Sequence, residues 1–350
     1  MPLAKTSDVD KLKNIVDSYS RLLILTHNNP DPDALGAAAG MRLLMKKFAG
    51  VPSTIGYAGF LTRAENKEMV KHLKLSVKHI DEIDIRRHRG VIMVDTQPQA
   101  GNNVLSKGAN VLGVIDHHPL RRSTRSCPFA LVDGTVGATS TLVFELLRAA
   151  QVRLTRQIAS ALFLGIKADT RDAGRDAGRR DLVAYKELFA LAEHKTIARI
   201  THPRLSNEYY RVVHRALETA VVAGDCLYAP IGDVPTPEFV SEVADYLVAL
   251  KGLRWAVVTG RYGENLYFSI RTLSAQKDAG RMLRRAMGRH GLAGGHQKMA
   301  GGVLPLREME PDKREAAEAT VISKLFEALG ANTATSRPLL AGGSGEGEEP

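Results

Sequence analysis

The chain has 350 residues, of which 44% are hydrophobic, and it carries a formal net charge of +10. This length exceeds what one hydrophobic core usually organises, so we expect two domains. The two cysteines, Cys127 and Cys226, lie far apart, which excludes a disulfide framework and cysteine-rich zinc sites and fits a reducing cytoplasm. The sequence has neither an apolar run long enough to span a bilayer nor an N-terminal secretory signal. We therefore expect a cytoplasmic protein without a membrane partner.

The first part of the chain alternates apolar, strand-like runs with amphipathic, helix-like runs. Strands are predicted near 21–26, 53–57, 91–94, 111–115 and 129–132, and helices near 7–19, 33–48, 64–73, 136–150, 155–168 and 180–193. This alternation predicts an α/β fold with a mainly parallel sheet and helices on both faces. In such sheets, ligands bind beyond the carboxyl ends of the strands.

A second alternation follows a charged helical stretch. Strands are predicted near 219–229, 254–259, 265–271 and 303–306, helices near 236–250, 277–289 and 312–329, and a glycine-rich loop at 291–302. We predict a catalytic domain at 1–194, a linker helix at 195–218 and a smaller α/β domain at 219–330, across a cleft from the first domain. The tail at 331–350 is predicted to be disordered.

Carboxylates and imidazoles follow three of the predicted strands in the first domain. They are His27, Asp31 and Asp33 after the first strand, Asp95 after the strand at 91–94, and Asp116, His117 and His118 after the strand at 111–115. Such groups repel one another unless cations lie among them, and two divalent metal ions are the natural candidates. The pattern therefore predicts a two-metal site of the kind that cleaves phosphoesters.

The spacing of these residues indicates how they could share two ions. Asp31 and Asp33 are two residues apart in a proline-rigid stretch, so their side chains can project to the same side, one toward each ion. Asp95, alone at the end of its strand, is the best candidate for a bridging ligand, and His117 can supply nitrogen to the second ion. Imidazole and carboxylate without thiolate suit manganese, which we prefer, and also magnesium, iron or cobalt.

Each cluster also has a purely structural interpretation. Asp33 could cap the helix that follows it, and Asp116 could cap a short turn. Asp169, at the end of an apolar helical stretch, is by its pattern more often a turn residue than a ligand. Three clusters at three strand ends nevertheless favour a site, since turn chemistry alone does not select histidine so consistently.

These motifs resemble those of the DHH phosphoesterase family. The corresponding stretches are Asp116-His117-His118, His27-x-x-x-Asp31-x-Asp33, Val94-Asp95 and Gly165-Ile-x-x-Asp169-Thr170. The resemblance implies that Asp169 is also a metal ligand, and it spans about residues 15–310. Ala37 departs from it, because the family usually has Ser there, and the basic stretch 171–180 departs as well, which leaves the substrate preference open.

The second half resembles the DHH-associated domain of the same proteins, through Ser269-Ile-Arg271-Thr272 and Gly294-Gly295-His296. This implies that Arg271, Gly294, Gly295 and His296 bind substrate. The whole chain is most similar to nano-RNases, which hydrolyse very short oligonucleotides and linear dinucleotides. Some of those enzymes also accept 3′-phosphoadenosine 5′-phosphate or cyclic dinucleotides. A homodimer is expected from the resemblance only.

The resemblance also implies a division of roles. His27, Asp31 and Asp95 would hold the first ion, and Asp33, Asp95, His117 and Asp169 would hold the second. His118 would contact the scissile phosphate or protonate the leaving oxygen, and Asp116 would orient an imidazole.

Three other functions stay open at this point. A pyrophosphatase or polyphosphatase could use the same catalytic half, although the Gly294-Gly295-His296 stretch argues against it. A basic protein that binds nucleic acid without catalysis would fit the charge of +10, but bare carboxylates would repel phosphate. An exonuclease for longer strands would want a wider channel, and the aromatic content of 5% offers no obvious stacking platform.

Overall fold

The computed structural model describes residues 4–331 and 335–340 except Thr62, Lys107, Arg175, Ala275, His290 and Glu308. The chain divides into two compact units, Met1–Pro203 and Arg204–Pro350. The division falls inside the segment 195–218, which was predicted as one linker helix but contains two helices, His194–Thr201 and Asn207–Thr219, separated by residues 202–206. Among the described residues, no helix combines the length and the apolar character that crossing a bilayer would require.

The first unit contains six strands and seven α-helices among its described residues. The strands are β1 (Leu22–Leu25), β2 (Ser53–Tyr57), β3 (Val77–His79), β4 (Gly90–Val94), β5 (Val111–Asp116) and β6 (Phe129–Val132). The helices are α1 (Thr6–Val16), α2 (Pro32–Leu44), α3 (Ala64–His72), α4 (Thr139–Ala149), α5 (Arg156–Thr170), α6 (Arg179–Leu191) and α7 (His194–Thr201). A π-helix, Met45–Ala49, extends α2, and short 3-10 helices include Arg122–Ser126.

All strands of this unit are parallel, in the order β3-β2-β1-β4-β5-β6. The predicted α/β fold with a parallel sheet is therefore confirmed. Alternate residues of the central strands pack on opposite faces: Ile24 packs with the helices, whereas Leu23 packs with Ile80 and Ile83 beside a 3-10 helix. Because β1, β4 and β5 are neighbours, the residues that follow them meet at one edge of the sheet.

Glycines allow α2 and α5 to approach each other closely near this edge. A Cβ at Gly36 would lie 2.4 Å from the carbonyl oxygen of Ala161, and one at Gly165 would lie 2.8 Å from Oδ1 of Asp33. Larger side chains at these positions would push the two helices apart. The close packing keeps the start of α2, which carries Asp33, against the helix that carries Asp169.

The second unit has a seven-stranded sheet. Its strands are β7 (Val221–Ala223), β8 (Cys226–Asp233), β9 (Trp255–Tyr262), β10 (Asn265–Thr272), β11 (Leu292–His296), β12 (Met299–Pro305) and β13 (Arg337–Pro338). Its helices are α8 (Asn207–Thr219), α9 (Glu238–Leu247), α10 (Ala279–Met287) and α11 (Pro311–Leu329). The strand order is β11-β12-β10-β9-β8-β7-β13, and β8 with β9 is the parallel pair in an otherwise antiparallel sheet.

Two parts of this unit differ from the sequence-based prediction. The glycine-rich stretch predicted as a loop forms the hairpin β11–β12, in which Gly294 pairs with Gly301. Glycine has no side chain to show alternation, so the pattern did not reveal this strand. Residues 337–338, in the predicted disordered tail, pair with β7, while the tail residues 332–334 and 341–350 lie outside the described residues.

Candidate metal centre

The first predicted cluster lies between the end of β1 and the start of α2. His27 Nδ1 lies 2.8 Å from the carbonyl oxygen of Asn28, which only accepts, so Nδ1 donates and Nε2 faces the carboxylates. Nε2 is 3.8 Å from Oδ1 of Asp31 and 3.4 Å from Oδ2 of Asp95. Asp31 also caps α2, accepting hydrogen bonds from the N–H groups of Asp33 and Ala34, so the capping role considered for Asp33 belongs to Asp31.

Asp33 is fully buried, and the start of α4 holds its carboxylate. The backbone N–H of Thr139 donates to Oδ2 over 2.6 Å, and that of Ser140 donates to Oδ1 over 2.8 Å. Free N–H groups at a helix N-terminus are suited to anions, so this contact fixes the side chain. Burial, together with the charges of Asp95 and Asp169, raises the pKa of Asp33 well above its usual value.

Asp95 lies between two imidazoles and is 1% exposed. Its Oδ2 faces His27, and its Oδ1 lies 3.6 Å from Nε2 of His117 and accepts a hydrogen bond of 2.8 Å from the hydroxyl of Thr139. Burial alone would raise the pKa of Asp95, but the hydrogen bond from His27 and the charge of His117 lower it well below its usual value. The φ of Asp95 is 59°, which places its backbone in the left-handed region. This conformation costs a non-glycine residue free energy and is found most often at functional sites.

His117 and Asp169 form the third part of the cluster. Nε2 of His117 is 3.2 Å from Oδ2 of Asp169, near the end of α5, yet this buried nitrogen makes no hydrogen bond of acceptable geometry with any residue that the structure describes. Burial lowers the pKa of His117, but Asp169, Asp95 and Asp33 outweigh it and raise the pKa to about 10. Burial and the charge of Asp31 raise the pKa of Asp169 to about 6.

Asp116, the last residue of β5, holds His118. Its Oδ1 accepts from Nδ1 of His118 at 2.8 Å and from the His118 backbone N–H at 3.2 Å. Its Oδ2 accepts from the buried amide of Gln97 at 2.7 Å. The His118 side chain is 49% exposed, so its ring is oriented from one side while the rest of it faces solvent.

The donor set fits divalent ions. Three groups of residues each bring their ligand atoms within 4.8 Å of one another. They are His27 with Asp31 and Asp95, Asp33 with His117 and Asp169, and Asp95 with His117 and His118. The first two groups coincide with the two predicted ion sites, and Asp95 borders both. Nε2 of His117 is buried without a hydrogen-bond partner among the described residues, and the carboxylates raise the pKa of both His27 and His117. A cation between these groups would neutralise the same carboxylates.

Sequence reasoning missed two residues of this site. Thr139 contacts both Asp33 and Asp95, and Gln97 contacts Asp116. The signals that could have found them were weak: a Thr-Ser pair opening a helix after Gly137, and an amide two residues beyond Asp95.

In the second unit, Arg271 is buried and its guanidinium is already engaged. Nε and Nη2 donate to the carboxylate of Asp245, and Nη1 donates to the hydroxyl of Ser269 at 2.9 Å and to the carbonyl oxygen of Ile270. The predicted role of Arg271 in substrate binding stays a prediction.

Gly294 and Gly295 lie in β11, where Gly295 has a φ of 133°. A Cβ there would lie 2.3 Å from the carbonyl oxygen of Met299, so this position requires glycine. The side chain of His296 lies outside what the structure describes.

Comparison with known proteins agrees with this geometry. Residues 21–166 match the model for the DHH family, N-terminal domain. An uncharacterized protein from Methanocaldococcus jannaschii is 29% identical over 336 residues, which cover 94% of this chain and 67% of that protein. A probable manganese-dependent inorganic pyrophosphatase from Enterococcus faecalis is 24% identical over 151 residues, covering 43% of this chain and 48% of the pyrophosphatase.

A solved structure has the same fold. An exopolyphosphatase-related protein from Bacteroides fragilis matches with a TM-score of 0.73 at 15% identity, covering 94% of this chain and 99% of that one. This likeness concerns the fold alone. The match over residues 21–166 confirms the resemblance predicted for the first half of the chain. Over residues 21–166, the chain is therefore similar to the N-terminal domain of the DHH family.

Proposed function

We propose that this protein is a two-metal phosphodiesterase that hydrolyses short oligonucleotides and linear dinucleotides to mononucleotides. The observation that carries the proposal is the position of Asp95, whose two carboxylate oxygens face two different imidazoles, His27 and His117. A carboxylate shared between two ions is what a two-metal phosphoester site needs.

In this proposal, His27, Asp31 and Asp95 hold one divalent ion. Asp33, Asp95, His117 and Asp169 hold the other. When bound, the ions stabilise charge on the phosphoryl oxygens and make a water molecule nucleophilic near neutral pH. Manganese is the preferred ion, in keeping with the name of the pyrophosphatase relative.

His118 is the proposed proton donor to the leaving oxygen. Because Asp116 accepts from Nδ1, the other ring nitrogen, Nε2, is the atom that can reach the substrate. Burial lowers the pKa of His118, but the hydrogen bond to Asp116 and the charge of Asp95 outweigh it and raise the pKa above its usual value. A raised pKa favours the protonated ring, which is the form that a general acid requires.

Preference for short substrates rests on the second unit. There, Arg271, Gly294, Gly295 and His296 are the proposed contacts to the far end of the substrate. Asp245, Ser269 and Ile270 hold the planar guanidinium of Arg271 in one orientation, and the second N–H of Nη2 is the donor that could reach a phosphate oxygen. The support for this part is the motif resemblance together with that fixed orientation.

Inorganic pyrophosphate is the second candidate substrate. The observation in its favour is the match to the manganese-dependent pyrophosphatase, which covers 43% of this chain. Against it stand the Ser269-Ile-Arg271 and Gly294-Gly295-His296 stretches, which resemble the DHH-associated domain of nano-RNases.

One substrate panel separates these functions. The purified protein is incubated with Mn²⁺ and 5′-phosphorylated diadenylate, a five-nucleotide RNA, a long single strand, a cyclic dinucleotide, 3′-phosphoadenosine 5′-phosphate or pyrophosphate. We expect the two short linear substrates to react fastest and the Asp95→Ala variant to be inactive. Faster turnover of pyrophosphate, or normal turnover in Asp95→Ala, would contradict the proposal.

A further inference from the structure

Three arginines follow the metal centre directly in the first unit. Arg121, Arg122 and Arg125 lie three to seven residues after His118, at and within the 3-10 helix Arg122–Ser126, and all three are exposed. None of the three guanidinium groups forms a salt bridge with a residue that the structure describes. We refer to Arg121, Arg122 and Arg125 as the basic turn.

Arg148 and Arg180 of the same unit differ from the basic turn, because each of them has acidic partners. Arg148 pairs with Glu187, and Arg180 pairs with Asp133 and Glu145. Cations that neutralise carboxylates already have a function in the folded chain. The charges of the basic turn are left for an anion from outside.

A buried amide fixes the backbone of the basic turn to the catalytic cluster. Oε1 of Gln97 accepts from the N–H of Arg121 at 2.8 Å and from the hydroxyl of Thr124 at 2.7 Å. Nε2 of the same amide donates to Asp116 at 2.7 Å and to the carbonyl oxygen of Pro119 at 3.1 Å. Gln97 is 1% exposed, so this link is shielded from water.

A second contact reinforces the link, because the hydroxyl of Ser123 donates to the carbonyl oxygen of Pro98 at 2.6 Å. The backbone of the basic turn is therefore held from two points on the loop that follows Asp95. Asp116, which orients His118, and the basic turn share Gln97 as their common support. Arginines anchored in this way lose less entropy on binding an anion than arginines on a mobile loop would.

The chemistry of the neighbouring site indicates which anion this is. Under the proposed function, the metal centre binds the reacting phosphate of a substrate, which brings the other phosphates of that substrate near the basic turn. Arginine is the side chain best suited to bind phosphate oxygens in pairs. We propose that Arg121, Arg122 and Arg125 form a subsite for a second, non-reacting phosphate of an oligonucleotide substrate. This inference rests on the proposed function for the reacting phosphate, and it goes beyond it by assigning the adjacent phosphate to this turn.

The test compares two double variants of equal charge. Arg122→Gln/Arg125→Gln removes two charges from the basic turn. Arg153→Gln/Arg156→Gln removes two exposed charges at the start of α5, about 20 Å along the helix from Asp169. Steady-state kinetics are measured with a 5′-phosphorylated five-nucleotide RNA and with bis(p-nitrophenyl) phosphate, a diester that has a single phosphate.

For the basic-turn variant we expect the KM for the RNA to rise about tenfold with kcat retained, and no change with bis(p-nitrophenyl) phosphate. The slope of log KM against log salt concentration should fall by about 0.7 for each phosphate that the variant no longer neutralises. The control variant should match the wild type in both respects. An equal effect in the control, an equal effect on both substrates, or no effect would overturn the subsite.

Failure of the proposed function is recognised separately. If the wild type cleaves no oligonucleotide, the proposed function fails, and the subsite is then decided by the fluorescence anisotropy of the labelled five-nucleotide RNA with the same variants and Mn²⁺. Weaker binding by the basic-turn variant alone supports the subsite. Equal binding by all three proteins overturns it.

Discussion

The hydroxyl of Thr139 donates a 2.8 Å hydrogen bond to Oδ1 of Asp95, across 44 residues of chain. The backbone N–H of the same residue donates to Asp33. One residue at the start of α4 therefore positions two proposed metal ligands that follow two different strands. Partners of this kind set the orientation of ligands and strongly affect metal affinity.

Replacement of Thr139 by valine should weaken manganese binding. Valine keeps the shape of the side chain but removes the hydroxyl from a buried carboxylate. We expect a loss of Mn²⁺ affinity of about 10- to 100-fold, measured by calorimetry, and a lower kcat. Thr139→Ser keeps the hydroxyl and should stay close to the wild type. Equal affinity in the wild type and Thr139→Val would show that the hydrogen bond has no part in positioning the ligands.

Gln97 should act through His118. In Gln97→Leu, Asp116 loses the 2.7 Å amide donor and becomes freer to move, so His118 loses its fixed orientation. We expect a lower kcat with 5′-phosphorylated diadenylate, whose leaving oxygen needs a proton, and we expect the effects of Gln97→Leu and His118→Ala to be far from additive in a double-mutant cycle. If the effects of the two substitutions are additive, Gln97 does not act through His118.

Arg180 should matter for stability and not for binding of substrate. It ends the basic stretch 171–180, but its guanidinium donates to Glu145 at 2.7 and 2.6 Å and also to Asp133. Both carboxylates are largely buried, and Arg180→Ala would remove the cation that neutralises them, so it should lower the free energy of unfolding by about 3–5 kcal/mol.

Arg179→Ala, at the exposed neighbouring residue, is the matched control for Arg180 and should change the free energy of unfolding by less than about 0.5 kcal/mol. Chemical denaturation measures both variants. If the two variants are equally stable, the contacts of Arg180 with Asp133 and Glu145 do not stabilise the fold.

Manganese binding should release protons. Asp169, Asp95 and Asp33 raise the pKa of His117 to about 10, so that ring is protonated at pH 7 in the metal-free protein, and Asp31 and Asp95 raise the pKa of His27, which favours its protonated form. A metal requires the neutral ring, so Mn²⁺ affinity should increase as the pH rises from 6 to 9.

Calorimetry in two buffers of different ionisation enthalpy measures the proton release, and His117→Gln should release fewer protons than the wild type. The same raised pKa predicts that the stabilising contribution of protonated His117 to the metal-free protein is complete below pH 6.5. That contribution is lost as the pH rises through about 10. Binding without proton release would contradict these assignments.

The sequence predicted the parts of the fold that apolar runs encode. The strands at 53–57 and 129–132 were predicted with the bounds that the structure has, and the residues after β1, β4 and β5 meet at one edge because those strands are neighbours. The second-unit hairpin at β11 was missed because its glycines carry no side-chain pattern.

Thr139 and Gln97 could not be predicted for a different reason. Their roles depend on partners 44 and 19 residues away, and threonine at a helix start or an amide in a loop is common in any protein. Similarly, Arg180 belongs by sequence to a basic loop, and only the fold reveals that two buried carboxylates hold it.

Anomalous diffraction from crystals of the protein soaked in Mn²⁺ decides whether two ions share Asp95. We expect two peaks, one beside each carboxylate oxygen of Asp95, with His27 bordering one and His117 the other. Data without a peak beside Asp95, or with a single ion that leaves one of the two imidazoles without a metal, would contradict the two-metal assignment.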